Sequence, residues 1–151
     1  MNNIVIFDLD GTLALIDKKR EISTKSDGKL DWDIFFNPKN INLDKPNFPV
    51  INTLKALKSN GYKIIILSGR LETTKNATLE WLKKYEVYFD HLKMRENSVN
   101  GKFIPDVDLK KKWLNDIGKE NVKFVFDDRK KLVDMWRNQG LICFQVAEGN
   151  F

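Results

Sequence analysis

The residues with the clearest chemical potential are two aspartates near the start of the chain, Asp8 and Asp10, separated by a single residue. They follow the apolar run 4–7, which is typical of a buried strand in a parallel sheet. Gly11 comes next and lets the backbone turn sharply. Open α/β sheets bind ligands beyond the carboxyl ends of their strands, so the turn can aim both carboxylates into that crevice. Because two such carboxylates repel by about 4 kcal/mol near a protein surface, the pair indicates a bound cation. The alternative is an ordinary Asp-Gly turn after a strand.

Polar residues recur at the ends of two later predicted strands. Ser68-Gly69-Arg70 follows the predicted strand 62–67, and Asp127-Asp128-Arg129 follows the predicted strand 122–126. The carboxyl ends of parallel strands meet at one edge of a sheet, so we expect these residues to share a site with Asp8 and Asp10.

The residue types at these positions point to phosphoryl transfer. Carboxylate oxygens without a His/Cys cluster favour Mg²⁺ over zinc. The hydroxyl of Ser68 and the backbone N–H groups after it suit an anionic oxygen, and Lys110, in a helix predicted to begin at Asp106, adds a positive charge. A carboxylate nucleophile, a divalent metal and a cationic cradle are the requirements of phosphoryl transfer. The alternative for Lys110, which precedes Lys111 and Lys112, is a solvated lysine face.

Apolar periodicity predicts the elements that position these residues. Strands are predicted at 4–7, 62–67, 122–126 and 141–146, with a short apolar stretch at 87–92, and helices are predicted near 50–60, 74–84, 106–117 and 130–138. Strands that alternate with helices indicate an α/β fold with a mostly parallel central sheet. We expect residues 1–151 to form one domain. The polar segment 15–49 is expected to be an insert after the first strand, with one or two short helices lying over the site.

Three aromatic residues in this insert, Trp32, Phe35 and Phe36, have two interpretations. They could stack on nucleic-acid bases. We favour the other interpretation, in which they form the insert's own hydrophobic core.

Composition and net charge further limit the possible partners and location of the protein. The 151 residues carry a formal net charge of +5, which favours phosphate-bearing partners, and the lone Cys143 excludes an internal disulfide. No apolar run approaches the length of a membrane span, and no signal sequence is evident, so we expect a cytoplasmic protein without membrane partners. Nothing in the sequence indicates the oligomeric state.

The run Asp8-Leu9-Asp10-Gly11-Thr12 resembles the DxDGT motif of the haloacid-dehalogenase phosphatases, and Ser68, Lys110 and Asp127-Asp128 follow in that superfamily's order. More narrowly, the chain is similar to the 3′-phosphatase domain of phage polynucleotide kinase/phosphatase. The stretches that carry this likeness are LSGR (67–70), FDDR (126–129), VDMWR (133–137) and CFQVAEGNF (143–151). The resemblance implies a Rossmann-like three-layer sandwich with a small cap after the first strand.

The resemblance also implies a role for each matching residue. Asp8 would attack phosphorus, and Asp10 would protonate the leaving group and then activate water. Mg²⁺ would be held by Asp8, the backbone carbonyl of Asp10 and Asp127, with help from Asp128. The remaining roles are phosphoryl binding by Ser68 and Lys110, bracing of the loop by Thr12, and substrate contacts by Gly69, Arg70, Arg129 and either Lys19 or Arg20.

We therefore expect a Mg²⁺-dependent phosphomonoesterase that removes a 3′-phosphate from nucleic acid through an aspartyl-phosphate. The alternatives are a phosphatase of free nucleotides or another small phosphate ester, and a non-catalytic nucleic-acid-binding module. No G-x-x-x-x-G-K-[ST] occurs in the sequence, the segment Asn97–Lys102 included, so we expect neither a kinase domain nor 5′-kinase activity. The resemblance and the richness in Lys and Asn suggest a phage-encoded protein in its host's cytoplasm.

Overall fold

A five-stranded parallel sheet forms the centre of the computed structural model, which describes residues 2–96 and 103–150. The strands, in chain order, are β1 (Ile4–Phe7), β2 (Ala14–Leu15), β3 (Lys45–Pro46), β4 (Lys63–Leu71), β5 (His91–Arg95), β6 (Val122–Arg129) and β7 (Ile142–Gly149). The central sheet has the order β5-β4-β1-β6-β7, and β1 pairs in parallel with both β4 and β6. The strand that precedes Asp8 and Asp10 therefore lies in the middle of the sheet.

Six α-helices connect or flank these strands in the described part of the chain. They are α1 (Asp17–Ser23), α2 (Trp32–Phe35), α3 (Phe48–Ser59), α4 (Lys75–Lys84), α5 (Asp106–Ile117) and α6 (Lys130–Asn138). Short 3₁₀ helices cover Pro38–Leu43, Glu72–Thr74 and Lys119–Asn121. None of the helices in the described ranges is long and apolar enough to cross a bilayer.

The apolar side chains of β1 alternate between two hydrophobic clusters. Val5 and Phe7 belong to a cluster that includes buried residues of α3 and α4, whereas Ile6 belongs to a cluster that includes buried residues of α5 and α6. Successive side chains of a strand point to opposite faces, so the helices cover both faces of the sheet. The predicted three-layer α/β sandwich is confirmed.

Several strands extend further than their apolar runs predict. β4 continues through Ser68 to Leu71, and β6 continues through Asp127 to Arg129. Leu71 still pairs with Arg95 of β5, and Arg129 with Gly149 of β7, each after a register shift. Pairing with a neighbouring strand holds these polar residues in the sheet, which apolar patterning does not reveal.

The short apolar stretch 87–92 largely precedes a strand, because β5 covers His91–Arg95. Val87 is buried, but its N–H donates to the carbonyl of Leu82 as the chain leaves α4, and Glu86 has a positive φ of 55°. Val87 is thus apolar because it packs into the core where the chain leaves α4.

The insert contains α1, α2 and a 3₁₀ helix between the two strands β2 and β3, which pair antiparallel. The prediction of one or two short helices is therefore confirmed. Phe35 is buried in the cluster on the α3 side, and Phe36 packs against it, as expected for a core, but Trp32 is 56% exposed. The segment Asn97–Lys102 and the final residue Phe151 lie outside the described residues.

Candidate active site

The turn after β1 packs closely against the end of β6. The N–H of Asp8 donates to the carbonyl of Phe126 at 3.0 Å, so the two strand ends remain side by side. Gly11 has a φ of +83°, and a Cβ there would overlap the carboxylate of Asp128. Gly11 therefore meets two demands at once, the left-handed turn and the close approach of Asp128.

Three carboxylates converge at this point. Asp8, Asp127 and Asp128 are buried, and one oxygen from each lies within 4.8 Å of the others. The Thr12 Oγ1 lies 3.2 Å from Asp8 Oδ2 and 3.5 Å from Asp128 Oδ1, and the N–H of Asp128 donates to Asp127 Oδ1 at 2.9 Å. Thr12, predicted to brace the loop, thus bridges the two strand ends.

Lys110 is the cation of this cluster. Its Nζ lies 2.7 Å from Asp8 Oδ1 and 3.4 Å from Asp127 Oδ2. It is buried, whereas the neighbouring Lys111 and Lys112 are exposed, so Lys110 does not belong to a solvated lysine face. Burial opposes its charge, but the charges of Asp127 and Asp8 prevail and raise its pKa.

The electrostatics of the three carboxylates fit a divalent cation. Burial and the charge of Asp127 raise the pKa of Asp8 well above its ordinary value, although Lys110 opposes the rise. Burial and Asp127 likewise raise the pKa of Asp128. A single lysine does not balance three buried carboxylates, and hard oxygen ligands at this spacing are the donor set that Mg²⁺ prefers.

Asp10 lies in a separate network of buried charges. Arg70 donates from Nε and Nη2 to Asp10 Oδ1 at 3.0 and 2.6 Å, and Lys19 Nζ lies 3.4 Å from the same oxygen. Asp44 Oδ2 accepts from Lys19 at 2.9 Å and from Arg70 at 2.7 Å. Burial alone would raise the pKa of Asp10, but the charges of Arg70 and Lys19 hold it well below its usual range.

This network changes how the predicted substrate contacts are interpreted. The side chains of Lys19 and Arg70 have no exposed surface, and both contact Asp10 and Asp44. Arg20, the alternative to Lys19 in the sequence, lines the open cleft instead. Lys19 and Arg70 are thus inner cations that hold Asp10, whereas Arg20 is an outer arginine at the wall of the cleft.

Asp106, at the start of α5, joins two further arginines. Arg129 Nη1 donates to Asp106 Oδ2 at 2.6 Å, and Arg95 Nη2 donates to Asp106 Oδ1. A Cβ on Gly69 would lie 2.7 Å from Asp106 Oδ1, so only glycine fits against this carboxylate without a shift. Gly69 and Arg129, both predicted to contact substrate, thus meet at Asp106.

Ser68 is buried in β4, two residues beyond Ile66, which pairs with Phe7 of β1. Its Oγ accepts the N–H of Arg70 at 3.2 Å. This register places Ser68 at the same sheet edge as Asp8, as the strand-end argument predicts.

An open cleft of about 1530 Å³ leads to Asp8, Asp10 and Lys110. The insert forms one wall with Trp32, Phe35 and Phe36 among others. Of the described residues that line the cleft, seven are acidic and six are basic, so the basic excess of the chain does not lie here.

Sequence reasoning missed two residues of the site. Asp44 stands in a segment without periodicity, and nothing in the sequence links it to Arg70. Trp136 occurs in the motif VDMWR, but apolar spacing marks it only as a core residue; its indole N–H donates to Asp127 Oδ2 at 3.0 Å. The motif was the available signal for Trp136, and none existed for Asp44.

The order of these residues and their geometry agree with one family of known proteins. The family profile described as "Polynucleotide kinase PNKP phosphatase domain" matches residues 2–151. The chain belongs to this family. It is a phosphatase domain of the haloacid-dehalogenase type, as the sequence motifs imply.

Longer proteins contain related domains. The chain is 33% identical over 138 residues to a protein of Autographa californica nuclear polyhedrosis virus described as a putative bifunctional polynucleotide kinase/RNA ligase; the match covers 89% of this chain and 18% of that protein. A chain in the structure of the Pnkp1/Rnl/Hen1 RNA repair complex is 36% identical, with a TM-score of 0.79 and coverage of 98% of this chain and 43% of that one. The chain therefore spans less than half of these relatives. A predicted phosphatase from Clostridium acetobutylicum shares the fold, with a TM-score of 0.71, 17% identity and coverage of 96% and 84%.

Proposed function

We propose that this phosphatase domain is a Mg²⁺-dependent phosphomonoesterase that removes the 3′-phosphate from nucleic-acid ends. The observation that carries the proposal is the pairing of Asp8 with Lys110 at 2.7 Å, beside two further buried carboxylates and at the base of an open cleft. It is supported by membership in the polynucleotide kinase phosphatase family and by likeness to a chain of an RNA repair complex.

Asp8 is the proposed nucleophile. Its carboxylate oxygen forms a bond to phosphorus as the bond between phosphorus and the sugar oxygen breaks, and water later attacks the aspartyl-phosphate and releases inorganic phosphate. Lys110 touches Asp8 directly, so it stabilises negative charge on the transferred group. Asp8, Asp127, Asp128 and the carbonyl of Asp10 would hold Mg²⁺, which supplies positive charge for a phosphoryl group that is itself anionic.

Asp10 is the proposed general acid and base. Arg70 and Lys19 keep it ionised in the resting enzyme, which suits acceptance of a proton from the attacking water. A bound phosphate would bring negative charge close to Asp10 and raise its pKa towards protonation, which suits donation to the leaving sugar oxygen. The two cations also fix the carboxylate in one orientation.

The size of the cleft favours a polymer over a free nucleotide. Pockets for small ligands are typically about 300–1,000 Å³ and enclose most of the ligand. The cleft of about 1530 Å³ is larger, and the insert leaves it open to solvent. A strand can therefore enter with its end at Asp8 while the rest remains outside.

A phosphate-release panel tests the proposal. Equal concentrations of 3′-phosphorylated DNA and RNA oligonucleotides, their 5′-phosphorylated counterparts and 3′- and 5′-mononucleotides are compared by kcat/KM, with and without Mg²⁺. We expect the highest kcat/KM on a 3′-phosphorylated oligonucleotide, and loss of release on removal of Mg²⁺. Better turnover of mononucleotides would replace this function with that of a nucleotide phosphatase. Salt-sensitive oligonucleotide binding without release of phosphate would indicate a binding module.

A further inference from the structure

Trp32 is the exposed member of the four tryptophans. Its exposed fraction is 56%, whereas those of Trp81, Trp113 and Trp136 are 8% or less. An exposed indole leaves a large apolar surface in water, and on the insert this surface lines the cleft that leads to Asp8 and Asp10. Trp32 thus presents an exposed aromatic ring to the cleft rather than to an arbitrary part of the surface.

The short helix α2 and two neighbouring phenylalanines fix the position of Trp32. Asp31 caps the helix by accepting the N–H groups of Asp33 and Ile34 at 3.0 and 3.3 Å. Phe36 stacks on the indole with the ring centres 5.5 Å apart and the planes inclined by 18°, and Phe35 meets it edge-on at 5.6 Å. Phe35 is itself buried in the core, so its contact with Trp32 connects the exposed indole to the core.

The same contacts tie Trp32 to the catalytic carboxylate. Lys19 Nζ lies 4.6 Å from the centre of the Phe35 ring and 3.4 Å from Asp10 Oδ1. Together with the 5.6 Å between Phe35 and Trp32, these distances place the indole at most about 14 Å from Asp10. A stacked strand rises about 3.4 Å per nucleotide, so the indole is within reach of the last few nucleotides.

The side chains that line the cleft offer little net positive charge to a nucleic acid. Acidic residues slightly outnumber basic ones along its described lining, and Lys110, Arg95 and Arg129 are each bonded to an aspartate. Away from the metal site, a polyanion that enters the cleft therefore benefits from an attraction that does not depend on charge. Stacking of bases on aromatic side chains supplies it and tolerates any base, because every base has a π-face.

We propose that Trp32 is a stacking site for a nucleobase near the 3′ end of the substrate strand. This inference rests on the proposed function, since it gives the polynucleotide a second contact beyond its phosphate. The site takes a planar base rather than the sugar or the phosphate, and it acts on binding rather than on the chemical step.

Steady-state kinetics of Trp32→Ala test the stacking site. The substrates are a 3′-phosphorylated oligonucleotide, the same oligonucleotide with abasic residues at its last four positions, and p-nitrophenyl phosphate. We expect KM for the intact oligonucleotide to rise about tenfold with kcat within about twofold, because a stacking contact present in both ground and transition states affects binding alone. The loss of kcat/KM should be about tenfold greater on this substrate than on the other two. Trp32→Tyr, which keeps a ring, should restore most of the affinity.

Tyr88→Ala is the matched control, since Tyr88 is 57% exposed but lies outside the described lining of the cleft. Equal KM values for Trp32→Ala and the unsubstituted protein on the intact oligonucleotide, or an equal loss on all three substrates, would overturn the stacking site. Absence of phosphate release from every substrate would instead refute the proposed function.

Binding can be followed without turnover by tryptophan fluorescence in an Asp8→Asn background. We expect the intact oligonucleotide to quench the emission more strongly than the abasic one, and Trp32→Phe to remove that difference. Equal quenching by the two oligonucleotides would reject the stacking site even if the protein proved inactive.

Discussion

The indole N–H of Trp136 donates a hydrogen bond of 3.0 Å to Asp127 Oδ2 in the interior of the protein, where Trp136 has no exposed surface. Asp127 is the second carboxylate of the cluster, and its other oxygen, Oδ1, accepts the N–H of Asp128. The indole comes from α6, which follows β6 directly. A core residue thus fixes the direction in which the carboxylate faces Asp8.

Trp136→Phe should weaken Mg²⁺ binding about 10- to 100-fold, the usual cost of losing a hydrogen bond to a metal ligand. Phenylalanine retains an aromatic ring in the core but removes the donor, so Asp127 Oδ2 keeps only the longer contact with Lys110 and the carboxylate is held less firmly. The measurement is the Mg²⁺ concentration needed to raise the melting temperature, together with calorimetric titration of the metal. Trp113→Phe is the control, since Trp113 belongs to the same hydrophobic cluster. Unchanged metal affinity in Trp136→Phe would show that the hydrogen bond has no such role.

Asp8→Asn should abolish phosphate release while leaving the fold intact. Asparagine has nearly the same volume, but its amide is not a nucleophile, and the substitution removes the buried charge whose desolvation and repulsion by Asp127 raise the pKa of Asp8. Phosphate release, acid-trapped phosphoprotein and circular dichroism provide the measurements. Thr53→Val, a change at an exposed position of α3, is the control and should retain full activity. Phosphoprotein in Asp8→Asn would assign the attack to another residue.

The positions of the strand ends can be predicted from the sequence because the residues that mark them are adjacent in the chain. An apolar run followed by Asp-x-Asp, Ser-Gly-Arg or Asp-Asp-Arg predicts a polar residue at a sheet edge, and parallel pairing then brings those edges together. The family resemblance selects Lys110 over its two neighbours, because Asp106 precedes it by four residues, and burial now sets Lys110 apart from them. These features depend on residues that are near one another in the chain or on one repeated topological rule.

The partners of Asp10 could not be found in the same way. Asp44 lies 34 residues beyond Asp10 in a segment with no repeat, and only the folded insert brings it to Lys19 and Arg70. The family resemblance implies that Arg70 contacts substrate, and the structure adds that its guanidinium donates to Asp10 and Asp44. A charge pattern in the sequence does not specify which of several partners a buried arginine will choose.

Asp44→Ala should destabilise the protein by about 3–5 kcal/mol, because it leaves two buried cations with one anion in place of two. Asp44→Asn should cost less, since an amide oxygen still accepts from Lys19 and Arg70. The free energy of unfolding in urea measures both effects, with Asp27→Ala at an exposed position as the control. We also expect kcat to fall in Asp44→Ala, because Arg70 and Lys19 lose the anchor that orients them towards Asp10. Equal stability of Asp44→Ala and the control would contradict the charge balance inferred here.

Cys143 should resist alkylation in the native protein. Burial and the charge of Asp127 raise the pKa of its thiol from an ordinary 9.0 to about 12, and the side chain is only 5% exposed. At pH 8 the reactive thiolate is then roughly a thousandfold scarcer than in the unfolded chain. Iodoacetamide labelling followed by mass spectrometry should be slow in buffer and fast in 8 M urea. Equal labelling rates in the two conditions would show that the thiol is open to solvent.

The raised pKa of Cys143 also makes the free energy of unfolding depend on pH, and the direction of that dependence can be tested. The native state holds the thiol proton between pH 9 and about 12 while the unfolded chain releases it, so the stabilisation is complete below pH 9 and is lost as the pH rises towards 12. Unfolding free energies measured from pH 8 to 10.5 should therefore fall more steeply in the unsubstituted protein than in Cys143→Ala, which has no thiol to titrate. Parallel curves for the two proteins would mean that Cys143 ionises equally in the native and unfolded states, and that β7 does not shield it beside Asp127.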